Sequence, residues 1–136
     1  INKAKDSSRK TDLKNMQNAL EQYFNDNGNY PTYATGAGCN SGQACWTLGA
    51  GSFLGANALN YLKTLPKDPS QSGTDCTTPS SRVYNYYSAA GLTYTISTKI
   101  ENANDPSIAV GVPTKYTPPT DGACTTHNYK VVSQQQ

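Results

Sequence analysis

The sequence has little of what usually carries chemistry. It holds one histidine, His127, and nine carboxylates in 136 residues. No Gly-x-Ser-x-Gly elbow, phosphate-binding glycine loop or His-Glu-x-x-His pair occurs. A lone histidine is more often structural or solvated than catalytic. No enzyme is expected on these grounds. Charge is scarce too: 15% of residues are charged, and the formal net charge is +2. Lys and Arg do not gather beyond the first 14 residues, so the basic footprint of a nucleic-acid binder is missing. Long apolar runs are absent as well. The longest near the C-terminus, IAVGV, is far too short to cross a bilayer, and no signal peptide is visible.

What is present is polar, aromatic and cysteine-bearing. Ten tyrosines and a low net charge argue for a folded chain rather than a disordered one. The length suits one domain with one modest core. Cys39, Cys45, Cys76 and Cys124 form an even set in Ser/Thr-rich surroundings. That points to two disulfides, no free thiol nucleophile, and an oxidising compartment. Zinc is the rival reading, but spacings of six, 31 and 48 contain no Cys-x-x-Cys pair. Four cysteines allow three pairings. Cys39–Cys45 with Cys76–Cys124 is preferred, because NSGQA between the first two is flexible enough to close a small ring. Disulfides require export, yet no export signal is seen. The natural protein is therefore expected to continue upstream, with residue 1 a processing boundary.

Residues 1–27 read as helix. Leu13, Met16, Ala19, Leu20, Tyr23 and Phe24 recur at steps of three and four, an apolar stripe on one face. Before Leu13 the stripe thins to Ile1 and Ala4, and Lys3, Lys5, Asp6, Arg9, Lys10, Asp12 and Lys14 take over. The second half of the helix thus has a face to bury in this domain. The first half is expected to be solvated or packed on other chains. DNG ends the helix: Asn27 or Gly28 takes the left-handed capping conformation, and Pro31 prevents resumption. Residues 28–81 read as a long loop containing a short second helix over 57–64, capped by Asn57, with Leu59 and Leu62 inward. Strands are expected at 82–88, 92–101, 107–112 and 127–132, with a frayed tail at 133–136. Leu92, Tyr94, Ile96, Thr98 and Ile100 share one face at period two. An antiparallel sheet needs one face covered, and only the long helix is large enough. The fold class is α+β: a long N-terminal helix on a three- to four-stranded antiparallel sheet, in a single domain.

Two further features carry candidate roles. IENANDP places the oxygen donors Glu101, Asn102, Asn104 and Asp105 close together, as calcium loops do. It lacks the central glycine of an EF-hand loop and only two of the donors are charged, so a polar turn before Pro106 is the preferred reading over calcium, and no metal or other cofactor is favoured. Tyr84, Tyr86, Tyr87 and Tyr94 are expected to pack as a cross-strand aromatic cluster against the helix rather than form a ligand surface.

A charged helix ending MQNALEQYFNDNGNYP, then YLKTLPKDP, then YNYYS and GLTYTIS in hairpin strands, resembles type IV pilins and the related pseudopilins of type II secretion. The resemblance covers residues 1–33 and 59–102. It implies a soluble head whose helix continues upstream into a hydrophobic segment. In that family a prepilin peptidase cleaves a short leader from the segment. The segment anchors the subunit in the membrane and later packs in the filament core. Partners implied are homologous pilin subunits and the inner-membrane assembly machinery, and the implied location is an extracellular filament or cell surface. Lys3, Lys5, Asp6, Arg9, Lys10 and Asp12 then lie on the filament-assembly helix. LPKDP is common in secretion pseudopilins, where a calcium loop follows the hairpin. A late disulfide enclosing the C-terminal region is more like a pilus subunit. The expected function is a structural pilus subunit. The alternatives are a secretion pseudopilin and a minor pilin with an adhesive role.

Overall fold

The computed structural model describes residues 3–34, 38–76, 78–108, 124 and 126–134. Its first element is helix α1, Lys3–Asn27. Four short strands follow: β1 Cys39–Asn40, β2 Asn85–Tyr87, β3 Thr95–Thr98 and β4 Tyr129–Val132. They form one antiparallel sheet in the order β1-β2-β3-β4. The helix packs on β3 and β4. This is the α+β arrangement, with the sheet covered by its one long helix.

The core lies between them. Leu13, Met16 and Leu20 meet Tyr84, Tyr86, Tyr94 and Ile96, with Tyr23 and Phe24 half-buried at the edge. Opposed positions Tyr86 and Ile96 put two large side chains on the same face of the sheet. The loop before β2 adds Trp46, Phe53, Leu54 and Ala58 to the same core. Tyr87 is only half-buried. Among the described residues no helix is long and apolar enough to cross a membrane.

The helix stop works through Gly28. It takes φ +77°, and its N–H donates to the Phe24 carbonyl at 2.7 Å. A residue with a side chain rarely adopts that conformation, so glycine is the natural cap. The Pro31 carbonyl then accepts the Tyr86 hydroxyl and pins the departing chain to the sheet.

Four local expectations are corrected. Segment 57–64 forms only one 3-10 turn, Ala58–Asn60, and the Asn57 side chain does not cap it. Ala58 fills the inward position, which leaves Leu59 63% exposed. Leu92 is also outward, 73% exposed, because Gly91 turns the chain at φ +77° before β3 begins. Ser107 and Ile108 lie in a turn closed by the Ile108 N–H on the Asp105 carbonyl; residues 109–112 of that expected strand lie outside the described residues. Ser133 is buried and donates its N–H to the Tyr94 carbonyl, so the tail begins later than expected.

Both disulfides are formed as expected, Cys39–Cys45 and Cys76–Cys124. The first ties the two-residue strand β1 to the loop that follows it. The second joins Val83 in a small satellite cluster. Their sequence separations are 6 and 48. In the chain-entropy account, closing the smaller ring stabilises by about 2.4 kcal/mol and the larger by about 4. Replacing Cys76 and Cys124 by serine is therefore expected to lower the urea midpoint more than replacing Cys39 and Cys45. The reverse order would show that native packing, not ring size, sets the contribution.

Candidate functional site

The charged half of α1 is not a loose stalk. The buried face of the helix continues past Leu13 to Arg9 and Asp6, four and seven residues earlier, and changes from apolar to ionic. Arg9 is 0% exposed and Asp6 2%. This overturns the expectation that these two side chains meet solvent or other chains.

Arg9 is the hub. Its Nε donates to Asp68 Oδ2 at 2.8 Å and its Nη2 to Asp68 Oδ1 at 3.0 Å, a two-pronged pair. Its Nη1 donates to Asp6 Oδ1 at 2.7 Å. Glu101 Oε1 lies 2.7 Å from Nη2, an ion pair without full hydrogen-bond alignment. Glu101 Oε2 reaches Arg82 Nη2 at 3.6 Å. Burial acts to lower the Arg9 pKa, but Asp68, Glu101 and Asp6 outweigh it and hold the guanidinium above its ordinary value. Asp68 comes from the LPKDP segment and Glu101 from the chain after β3. One guanidinium thus ties three distant parts of the sequence together.

Asp6 has a second task. Its carboxylate accepts the backbone N–H of Glu101 and of Asn102, both at 2.9 Å. Lys10 donates to Asp105 Oδ2 at 2.6 Å. Lys10 and Ser107 together pull the Asp105 pKa down to about 2. The candidate calcium donors are consequently directed to other partners. Glu101 faces Arg9 and Arg82, Asp105 faces Lys10, and Asn102 Oδ1 accepts the Asn104 N–H. Among the described residues no group of three His, Cys, Asp or Glu side chains could hold a metal ion. IENANDP is a docking loop for the helix.

The remaining helix carboxylates receive tyrosines. Asp12 accepts the Tyr84 hydroxyl at 2.7 Å. Glu21 accepts Tyr94 at 2.7 Å and Tyr30 at 2.8 Å. Asp26 accepts Tyr61 at 3.0 Å. Burial, followed by the facing carboxylate, pushes Tyr84 and Tyr94 well above the usual phenol range. Burial also raises the Asp12 pKa. Of the expected cluster, Tyr84, Tyr86 and Tyr94 join the core, and Tyr84 and Tyr94 also bond the helix through their hydroxyls; Tyr86 bonds Pro31 instead, and the half-buried Tyr87 is not part of that core.

His127 sits apart, 5% exposed, with Nδ1 2.7 Å from Ser97 Oγ. Burial pushes its pKa down to about 4. Ser97 is wholly buried, so both partners of this pair lie inside the head. A shallow groove lined by Lys3, Ser7, Lys10, Asn102, Asn104 and Asp105 runs where the helix meets its docking loop. Lys3 and Lys5 are exposed at the rim of this end, with Lys5 Nζ 3.2 Å from Ser70 Oγ.

No protein-family model, curated protein or solved structure matches the chain. Sequence reasoning missed Asp68 and the burial of Arg9 and Asp6. The signal was there: Asp6, Arg9, Leu13 and Met16 keep one helical spacing, but only apolar residues were counted as the stripe.

Proposed function

We propose that this chain is the globular head of a structural subunit in an extracellular, type IV pilus-like filament. One observation carries the reading. The helix is bound to the head along its whole described length, by apolar contacts from Leu13 onward and by Arg9, Asp6 and Lys10 before it. A helix so fixed can pass position and load rigidly between the head and a helical filament core. Among the described residues the one histidine and its serine partner are buried. The enclosing Cys76–Cys124 disulfide favours a pilus subunit over a secretion pseudopilin.

Lys3 and Lys5 are the residues proposed to meet neighbouring subunits. Both are exposed on the first described turns of the helix, outside the buried ionic face of Asp6 and Arg9. Reversing both to glutamate is expected to leave the melting of this head within about 0.5 kcal/mol of wild type, as exposed changes do. In the full-length subunit the same change is expected to lower filament yield, because mismatched interface charges are costly. Unchanged yield would remove Lys3 and Lys5 from the interface. An upstream gene sequence without a leader and about 20 apolar residues would remove the filament reading itself.

A further inference from the structure

The sequence contains a single Asn-Gly step, Asn27–Gly28. Such a step is chemically weak. Glycine has no side chain to shield its backbone nitrogen, which can attack the neighbouring side-chain amide. Here the step falls on the last residue of α1 and its cap.

The folded geometry withholds both reactants. The attacking group is engaged: the Gly28 N–H donates to the Phe24 carbonyl at 2.7 Å. The leaving group is engaged too. Asn27 Nδ2 donates to the Tyr23 carbonyl at 2.9 Å and to the Tyr61 hydroxyl at 3.2 Å. Tyr61 is itself held by its ring against Tyr23, with centroids 5.3 Å apart, and by Asp26. Yet this end of the helix has reason to open. Asn25, Asp26, Asn27 and Gly28 are all exposed. The last turn carries Asp26 and no cation, against the preference of the helix dipole. Terminal turns are also where local opening is least costly.

We propose that Asn27–Gly28 is a latent site of spontaneous deamidation and isomerisation, held shut by the helix cap and released when the last turn frays. In the released state the Gly28 nitrogen bonds to Asn27 Cγ. The Cγ–Nδ2 bond breaks, and ammonia leaves carrying the proton lost from Gly28. Water then opens the five-membered imide at either carbonyl, giving an aspartyl or an isoaspartyl linkage. No oxidant or cofactor is required. Either product removes the donor to Tyr23 and Tyr61 and places a second carboxylate beside Asp26 at the negative helix end. The isoaspartyl form also lengthens the main chain by one carbon, so the helix cannot close on its cap again. Conversion is therefore a one-way mark that loosens the end of the helix.

The test compares the folded protein with a peptide spanning residues 22–32 in mildly alkaline buffer, following Asn27 by peptide mapping. The folded protein is expected to convert at least about tenfold more slowly than the peptide, the factor that about 1.4 kcal/mol of local closing gives. Tyr61→Ala, and the milder Tyr61→Phe, are expected to speed conversion in the folded protein, with melting curves confirming that both remain folded. If folded Asn27 converts as fast as the peptide, or if both Tyr61 variants leave its rate unchanged, the proposal fails.

Discussion

Replacing Arg9 with alanine is expected to destabilise the head by about 3–5 kcal/mol, the cost of leaving buried charges without their partner. The change removes the cation from Asp68, Asp6 and Glu101 together. Among the described residues only Glu101 keeps a second one, Arg82 at 3.6 Å. Arg9→Lys should recover part of the loss, since an ammonium cannot make the two-pronged pair with Asp68. The loss should rival that of Leu20→Ala in the apolar half, for which about 2–5 kcal/mol is typical of a buried leucine. Urea midpoints at constant slope measure both. An Arg9→Ala variant within about 0.5 kcal/mol of wild type, as for an exposed residue, would mean the ionic half of the helix contributes nothing to the head.

Alkaline pH is the second expected large effect. Tyr84, Tyr86 and Tyr94 are all held above the usual phenol range, first by burial. Helix carboxylates add to this at Tyr84 and Tyr94. In the unfolded chain a tyrosine ionises near pH 10. Above that pH the unfolded state releases these protons while the native state keeps them. Their contribution is complete below about pH 10 and is lost as pH rises beyond it. Each tyrosine then costs about 1.4 kcal/mol per pH unit, so the three together cost about 4. Against a typical total of about 5–15 kcal/mol, cooperative unfolding should follow within a few units. Of the ten tyrosines the less buried ones should ionise first, while the buried ones should add a late step in tyrosinate absorbance that coincides with loss of the helix signal, and Tyr94→Phe should shallow the fall by about a third. Complete tyrosinate absorbance before the helix melts would contradict these buried, bonded hydroxyls.

The contrast between these two tests shows how legible the fold was. The apolar stripe Leu13, Met16, Leu20 placed the helix on the sheet, because burying such a row needs only periodicity and a partner face. The Gly28 stop and the alternation of Tyr94, Ile96, Thr98 and Ile100 were legible for the same reason. The Cys39–Cys45 pair could be preferred from spacing, since small-ring closure is a local property, and Cys76–Cys124 was then the pair left over. Strand β1 was not legible: two residues carry no period, and Cys39–Asn40 is a strand only because β2 lies beside it.

The sequence by itself determined a folded, cysteine-bridged, α+β domain with one long helix, and withheld any visible catalytic motif. The tertiary structure decided what the charges do. Asp6, Arg9, Asp68 and Glu101 are scattered along the chain and would each be read as solvated alone. Burying a charge is costly unless opposite charges and hydrogen-bond donors converge on it. That convergence exists only once the helix, the loop before β2 and the chain after β3 meet in space.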